Sequence, residues 1–155
     1  GSVLPILGQR SGHYADSQRF TGFSTEMAES FPDIRVLHPE CSFLDESLSE
    51  RIAMRAIQSD SELRGIYLTS AGREGVYRAV HAAHRSEKLH IVVHDVTEGN
   101  IKMVKNGTVD FIIGQDVTTQ RTLPIRLLYD YLERHQFPRE RMNMTDITIK
   151  FRGNV

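Results

Sequence analysis

Short apolar runs alternate with stretches whose apolar residues recur every three or four positions, from one end of the 155-residue chain to the other. The runs fall at 3–7, 34–38, 65–69, 89–94, 111–114 and 147–151. The first five are brief and almost continuously apolar, the pattern of parallel strands covered on both faces. Between them Phe20, Phe23 and Met27 make one stripe, and Leu48, Ile52 and Ala56 a second. Val76, Ala79, Val80 and Ala83 make a third, each at helical spacing. A shorter helix carries Ile101 and Val104, with Asn106-Gly107 as its stop. Stripes of this kind are read as faces packed on a core. The alternation predicts an α/β fold: an open, mostly parallel sheet with helices on both faces, and no composition break marks a second domain.

One element stands outside this scheme. Residues 118–136 form a helix pattern with Leu123, Leu127, Leu128, Tyr131 and Leu132 on one side. Pro124 is expected in its first turn, or else to kink it. The parallel sheet is complete before this helix begins. Its stripe is therefore expected to reach away from the sheet and to need a partner. The closing DITIKFRG alternates like one more strand.

Composition narrows the function classes. Nineteen basic residues against twenty acidic ones leave a formal net charge of −1, with no positive field to hold a nucleic-acid backbone. Any DNA contact must therefore be made elsewhere. A single Cys41 allows neither an intrachain disulfide nor a paired-cysteine zinc site. No apolar run reaches the roughly 20 residues of a membrane span, and no signal-peptide pattern is seen. Gly1-Ser2 has the look of a cloning remnant, so the chain is read as an excised piece.

Ligands of open α/β sheets bind in the crevice beyond the carboxyl ends of the strands. After the first strand comes GQRSGHYADSQR, with His13, Tyr14, Asp16 and Arg19. The third strand leads into TSAGREG, with Thr69 and Ser70, and the fourth into His94 and Asp95. Gln115 and Asp116 follow the fifth. This rim is rich in hydrogen-bonding groups and poor in nucleophiles, and it suits a neutral polyhydroxylated molecule. Each residue also has a plainer reading. Asp95 caps the helix that begins near Thr97, Arg19 is half of a surface ion pair, and Gln115-Asp116 is a turn plus an N-cap. His94 is an orienting or packing residue rather than a base. The glycines of TSAGREG fit neither a dinucleotide fingerprint nor a phosphate loop, and mark a tight strand-to-helix turn. His81 and His84 lack a third ligand and read as a solvated face. The chain is thus expected to bind rather than to catalyse, with no cofactor and no metal.

DSQRFTGF, GIYLTSAGREGVYRAV, IVVHDVTEGN, NGTVDFIIGQDVTTQ and DITIKFRGN come in the order and at about the spacing of one family. Over nearly all of residues 3–154 the chain resembles the second half of the effector-binding domain of lac-repressor-type (LacI/GalR) transcriptional regulators. That domain is itself similar to periplasmic sugar-binding proteins. The resemblance implies a periplasmic-binding-protein-like lobe of flavodoxin-like strand order at 3–116. It also implies a crossover helix at 117–137, which belongs to a first lobe missing here, and a returning strand at 145–152. Arg19 matches the sugar-contacting arginine of an R-x-x-G-aromatic motif, Asp95 the aspartate that accepts from sugar hydroxyls, and Gln115 the glutamine at the crossover. Thr69 or Ser70 stands where many members place an asparagine; His13, Tyr14 and His94 share the rim.

The function so implied is that of a cytoplasmic regulator. A small-molecule effector, a sugar or sugar derivative, bridges two lobes and changes the spacing of DNA-binding heads. DNA is reached only through an N-terminal helix-turn-helix, and no membrane is involved. A periplasmic sugar-binding protein that serves a permease is the alternative, and an enzyme with His94 as base a third reading. Without its first lobe, helix 118–136 is expected to pair with a second copy in a homodimer.

Overall fold

The computed structural model describes residues 1–9, 13–85 and 88–155. Its strands are β1 (Ser2–Leu7), β2 (Arg35–Val36), β3 (Glu40–Cys41), β4 (Leu63–Leu68), β5 (His90–His94), β6 (Phe111–Gln115) and β7 (Ile147–Lys150). The helices are α1 (Tyr14–Ser30), α2 (Glu46–Ser59), α3 (Arg73–Ala82), α4 (Glu98–Lys105) and α5 (Val117–Arg134). They build one sheet in the order β2-β1-β4-β5-β6-β7, with β3 also paired to β1. All pairs are parallel except β6 with β7, which is antiparallel. This is the expected open, mostly parallel α/β sheet.

Alternate residues of a strand face the same side. Leu4 and Ile6, Ile66 and Leu68, Ile91 and Val93, and Ile112 accordingly share a face, and with Ile52, Val76, Val80 and Val104 they form the buried core. Each such side chain contributes about 1.5–3 kcal/mol by leaving water. Glycine lets α3 lie close to α2. A Cβ on Gly75 would stand 1.8 Å from the Glu46 carbonyl oxygen. One on Gly72, whose φ is +91°, would stand 2.4 Å from Ser49 Oγ. The glycines of TSAGREG therefore serve the strand-to-helix turn and the helix contact, and their Cβ positions point at α2 rather than into an open phosphate cradle.

The opposite face is covered differently. Phe23 of α1 stacks on Tyr67 with ring centroids 4.4 Å apart. Phe20, Phe23 and Met27 remain half-buried. Between α1 and the sheet runs an apolar groove of about 470 Å³, lined among others by Val3, Phe23, Met27, Ile34, Tyr67 and Val92.

One expectation needs correction. The strand at 34–38 is only the two-residue β2. Pro39, which has no N–H to donate, interrupts the edge, and pairing with β1 resumes at β3. Ser2 is a buried member of β1, and its hydroxyl donates to Asp60 Oδ2 at 2.6 Å. Pro124 lies well inside α5, which leaves the second of its two expected placements and removes the first-turn one.

The expected stripe is exposed in part. No residue of α5 is buried, and Leu128, Tyr131 and Leu132 are 57%, 44% and 58% exposed, while Leu123 and Leu127 are half-buried. Among the described residues no helix is long and apolar enough to cross a membrane.

Candidate ligand-binding site

The end of β5 sets the site. Asp95, the next residue, takes φ +72°, in the left-handed region, at a cost of about 1–2 kcal/mol for a residue with a Cβ. Asn100, fully buried at the start of α4, holds this turn. Its Nδ2 donates to the carbonyls of His94 at 3.1 Å and Asp95 at 2.7 Å. Tyr77 OH donates to its Oδ1 at 3.0 Å. Arg73 Nη1 adds a bond to the His94 carbonyl at 3.1 Å, and the Asp95 N–H donates to the Ile113 carbonyl at 2.9 Å. At about 1 kcal/mol net for each such bond, the set outweighs the strain.

With the turn fixed, capping falls to another residue. Thr97 is the N-cap of α4, its hydroxyl accepting from Asn100 N at 3.2 Å. The Asp95 carboxylate is therefore not a cap. Its Oδ1 accepts from Gln115 Nε2 at 3.0 Å and lies 3.6 Å from Arg19 Nη2. Gln115 and Asp116 divide the two roles read for them. Gln115 faces Asp95, whereas Asp116 caps α5 by accepting from Thr119 N at 3.0 Å; hydrogen bonds from the Thr119 side chain first, and from its backbone N–H second, lower the Asp116 pKa.

Arg19 reaches the same crevice from α1. It donates through Nη1 to the Thr69 carbonyl, and its side chain is 19% exposed. It is not the surface partner of Asp16. That residue is 2% exposed and accepts from Thr69 Oγ1 at 2.6 Å. His13 approaches Asp16 from the rim, with Nδ1 3.4 Å from Oδ2. Ser70 is half-buried against Gly8, where an added Cβ would meet the Ser70 Cβ at 2.5 Å. Tyr14 is 79% exposed, and the structure does not gather it with the others. Arg10, Ser11 and Gly12 of the same rim stretch lie outside the described residues.

His94 sits behind the crevice. Its Nε2 is 2.8 Å from Tyr67 OH. Burial, then the nearby Arg19 charge, holds its pKa down to about 4, and burial pushes the Tyr67 phenol up to about 12. Both groups are thus uncharged near neutrality, and the bond joins a neutral phenol to a neutral imidazole. Its Nε2 is already occupied, which makes His94 an orienting and packing residue. Asp95 is 42% exposed, so its ion pair with Arg19 contributes at most about 1 kcal/mol, weak enough for a ligand hydroxyl to compete.

Residues 3–136 match the family model described as a periplasmic binding protein domain. The chain belongs to that family. No curated protein matches it in sequence. Among solved structures, it is similar to a sugar-binding protein of a sugar ABC transporter from Bacillus halodurans, at 24% identity and TM-score 0.85. It is also similar to an ABC transporter solute-binding protein from Agrobacterium vitis bound with alpha-D-tagatopyranose (22%, 0.88). A third is GanP, a glucose-galactose binding protein from Geobacillus stearothermophilus (18%, 0.89). Each match covers 99% of this chain but only 56%, 51% and 54% of the neighbour, respectively. At these identities the likeness is one of fold.

Sequence reasoning does not single out the residues that fix Asp95 in this periplasmic binding protein lobe. The signal for Asn100 is its place four residues before Val104, on the apolar side of α4, where a polar residue must find buried partners. Arg73 and Tyr77 are marked only by their place on α3.

Linkage gives a test of the buried histidine. Its folded pKa of about 4 lies below the ordinary 6.5, so the unfolded chain holds more protons between those values. Stability should fall as pH drops through that window, by on the order of 3 kcal/mol for this group. His94→Gln, whose amide oxygen can still accept from Tyr67, is expected to flatten that part of a urea-unfolding pH profile. An unchanged slope would show that His94 is not its source.

Proposed function

We propose that this lobe forms one wall of a sugar-binding cleft in a solute-binding protein. The observation that carries the reading is the meeting of Asp95, Arg19 and Gln115 at the carboxyl ends of β5 and β6. An acceptor-only carboxylate, a planar fork of donors and an amide that both donates and accepts match adjacent ring hydroxyls. The sugar ligands named for the similar structures support it. Asp95 is the principal acceptor, Arg19 and Gln115 supply donors, and Ser70 and His13 border the ligand. The residues spanning 117–137 and 145–152 serve the junction with a first lobe that completes the cleft.

This reading puts the protein outside the cytoplasm, with a membrane permease as partner. A second reading keeps the same site in a cytoplasmic transcriptional regulator of the lac-repressor type, reaching DNA through a helix-turn-helix outside these residues. The order of five sequence blocks favours it. The upstream coding sequence separates the two: an export signal belongs to the receptor, a helix-turn-helix to the regulator.

Where no first lobe is present, a second copy covers the apolar stripe of α5. Light scattering at micromolar concentration should give the mass of a homodimer, and a monomer would remove this part of the account. For the site itself, D-tagatose, D-galactose and D-glucose should be titrated at millimolar concentration and followed by amide chemical shifts. At least one is expected to bind. Asp95→Asn should weaken that binding tenfold or more, about 1.4 kcal/mol, with an unchanged unfolding curve. Undiminished affinity in that variant, or no binding by any of the three sugars to the wild type, would overturn the reading.

A further inference from the structure

We infer that Asp16 is a positioning residue of this site, setting Arg19 against Asp95 by holding Thr69; the inference rests on the sugar-cleft reading. Asp16 is the single fully buried residue described for α1, a 17-residue helix whose Phe20, Phe23 and Met27 side chains are only half covered. A carboxylate is a costly occupant of such a position unless it is bonded. Its bond is to Thr69, the fully buried residue that follows β4, whose hydroxyl donates to Oδ1 at 2.6 Å.

One turn further along the same helix, Arg19 donates through Nη1 to the Thr69 carbonyl. Helix α1 thus grips both the side chain and the main chain of one residue. Thr69 is in turn tied to the sheet, its N–H donating to the Ile6 carbonyl at 3.1 Å. With Nη1 committed to Thr69, Nη2 is the arm left 3.6 Å from Asp95 Oδ1. Asp16 meets Thr69 with one oxygen only. Its Oδ2 is buried without a hydrogen bond among the described residues, the His13 Nδ1 standing 3.4 Å away. An apolar side chain would remove that oxygen but leave the buried Thr69 hydroxyl unpaired. What the carboxylate adds is a fixed geometry for Thr69 and, through it, for the guanidinium.

The test reads Arg19 directly. Its Nε–H signal in a ¹⁵N-labelled sample is assigned by its loss in Arg19→Lys. Asp16→Ala is expected to move or broaden that signal and to weaken D-tagatose, D-galactose or D-glucose binding tenfold or more. Asp16→Asn keeps an oxygen to accept from Thr69, and should hold both readouts close to wild type, with affinity within threefold. Thr69→Val removes the hydroxyl at similar shape and should reproduce the Ala effect, which covers the case in which Asp16→Ala does not fold. An Arg19 signal left in place by Asp16→Ala or Thr69→Val overturns the inference. So does a lower melting temperature with undiminished sugar affinity. If no sugar binds the wild type but the Arg19 signal still moves in the variants, the sugar reading fails while the positioning of Arg19 stands.

Discussion

A left-handed backbone at a residue that is not glycine, at the end of a buried parallel strand, is the constraint on which the rest of this lobe turns. Asp95 is held in it by Asn100, whose buried amide bonds the carbonyls on either side of the turn. Asn100 is fully buried, and among the described residues its side-chain N–H groups are satisfied on the carbonyls of His94 and Asp95. Tyr77 and Arg73 close the arrangement from α3, so the strand end is held from two helices. Once the backbone is turned, the Asp95 carboxylate faces Gln115 and Arg19, and Thr97 takes over the cap of α4. Site and fold are therefore coupled by one side-chain amide.

Behind this front lies a second layer of polar contacts. Tyr67 and His94 satisfy each other, and burial keeps both uncharged near neutrality. Asp16 and Arg19 together anchor Thr69. These contacts decide between two candidate surfaces. The apolar groove beside α1 is roomy, at about 470 Å³, but offers a hydroxylated ligand almost nothing to bond with. A polyol that gives up water there would leave its hydroxyls unpaired, at roughly 1–3 kcal/mol for each. The crevice at Asp95 sets an acceptor beside donors, which is why the proposed sugar site is placed there and not in the groove.

Much of this was legible in the sequence because it is periodic. The apolar runs at 65–69, 89–94 and 111–114 marked the central strands to within about two residues, and the rule that ligands sit beyond strand ends found Arg19, Asp95 and Gln115. The second strand misled because its apolar residues run up to Pro39, and the loss of a ladder bond at proline is a tertiary matter of which edge faces β1. Whether Asp95 capped a helix or faced the crevice was not readable either. That choice rests on a buried amide five residues later, and local propensity gives no hint of a positive φ at an aspartate behind a run of β-branched residues. Asp16 likewise looks like an ordinary first-turn acid until Thr69 is brought beside it from 53 positions away.

The most direct measurement is a residue-by-residue NMR map of where a sugar touches the chain. With D-tagatose near saturation, the account predicts the largest shifts at the Asp95 and Gln115 amides and at the side chain of Arg19, with Tyr67 and His94 responding less. Shifts confined to the groove residues Val3, Met27 and Val92, with Asp95 and Arg19 unmoved, would contradict it.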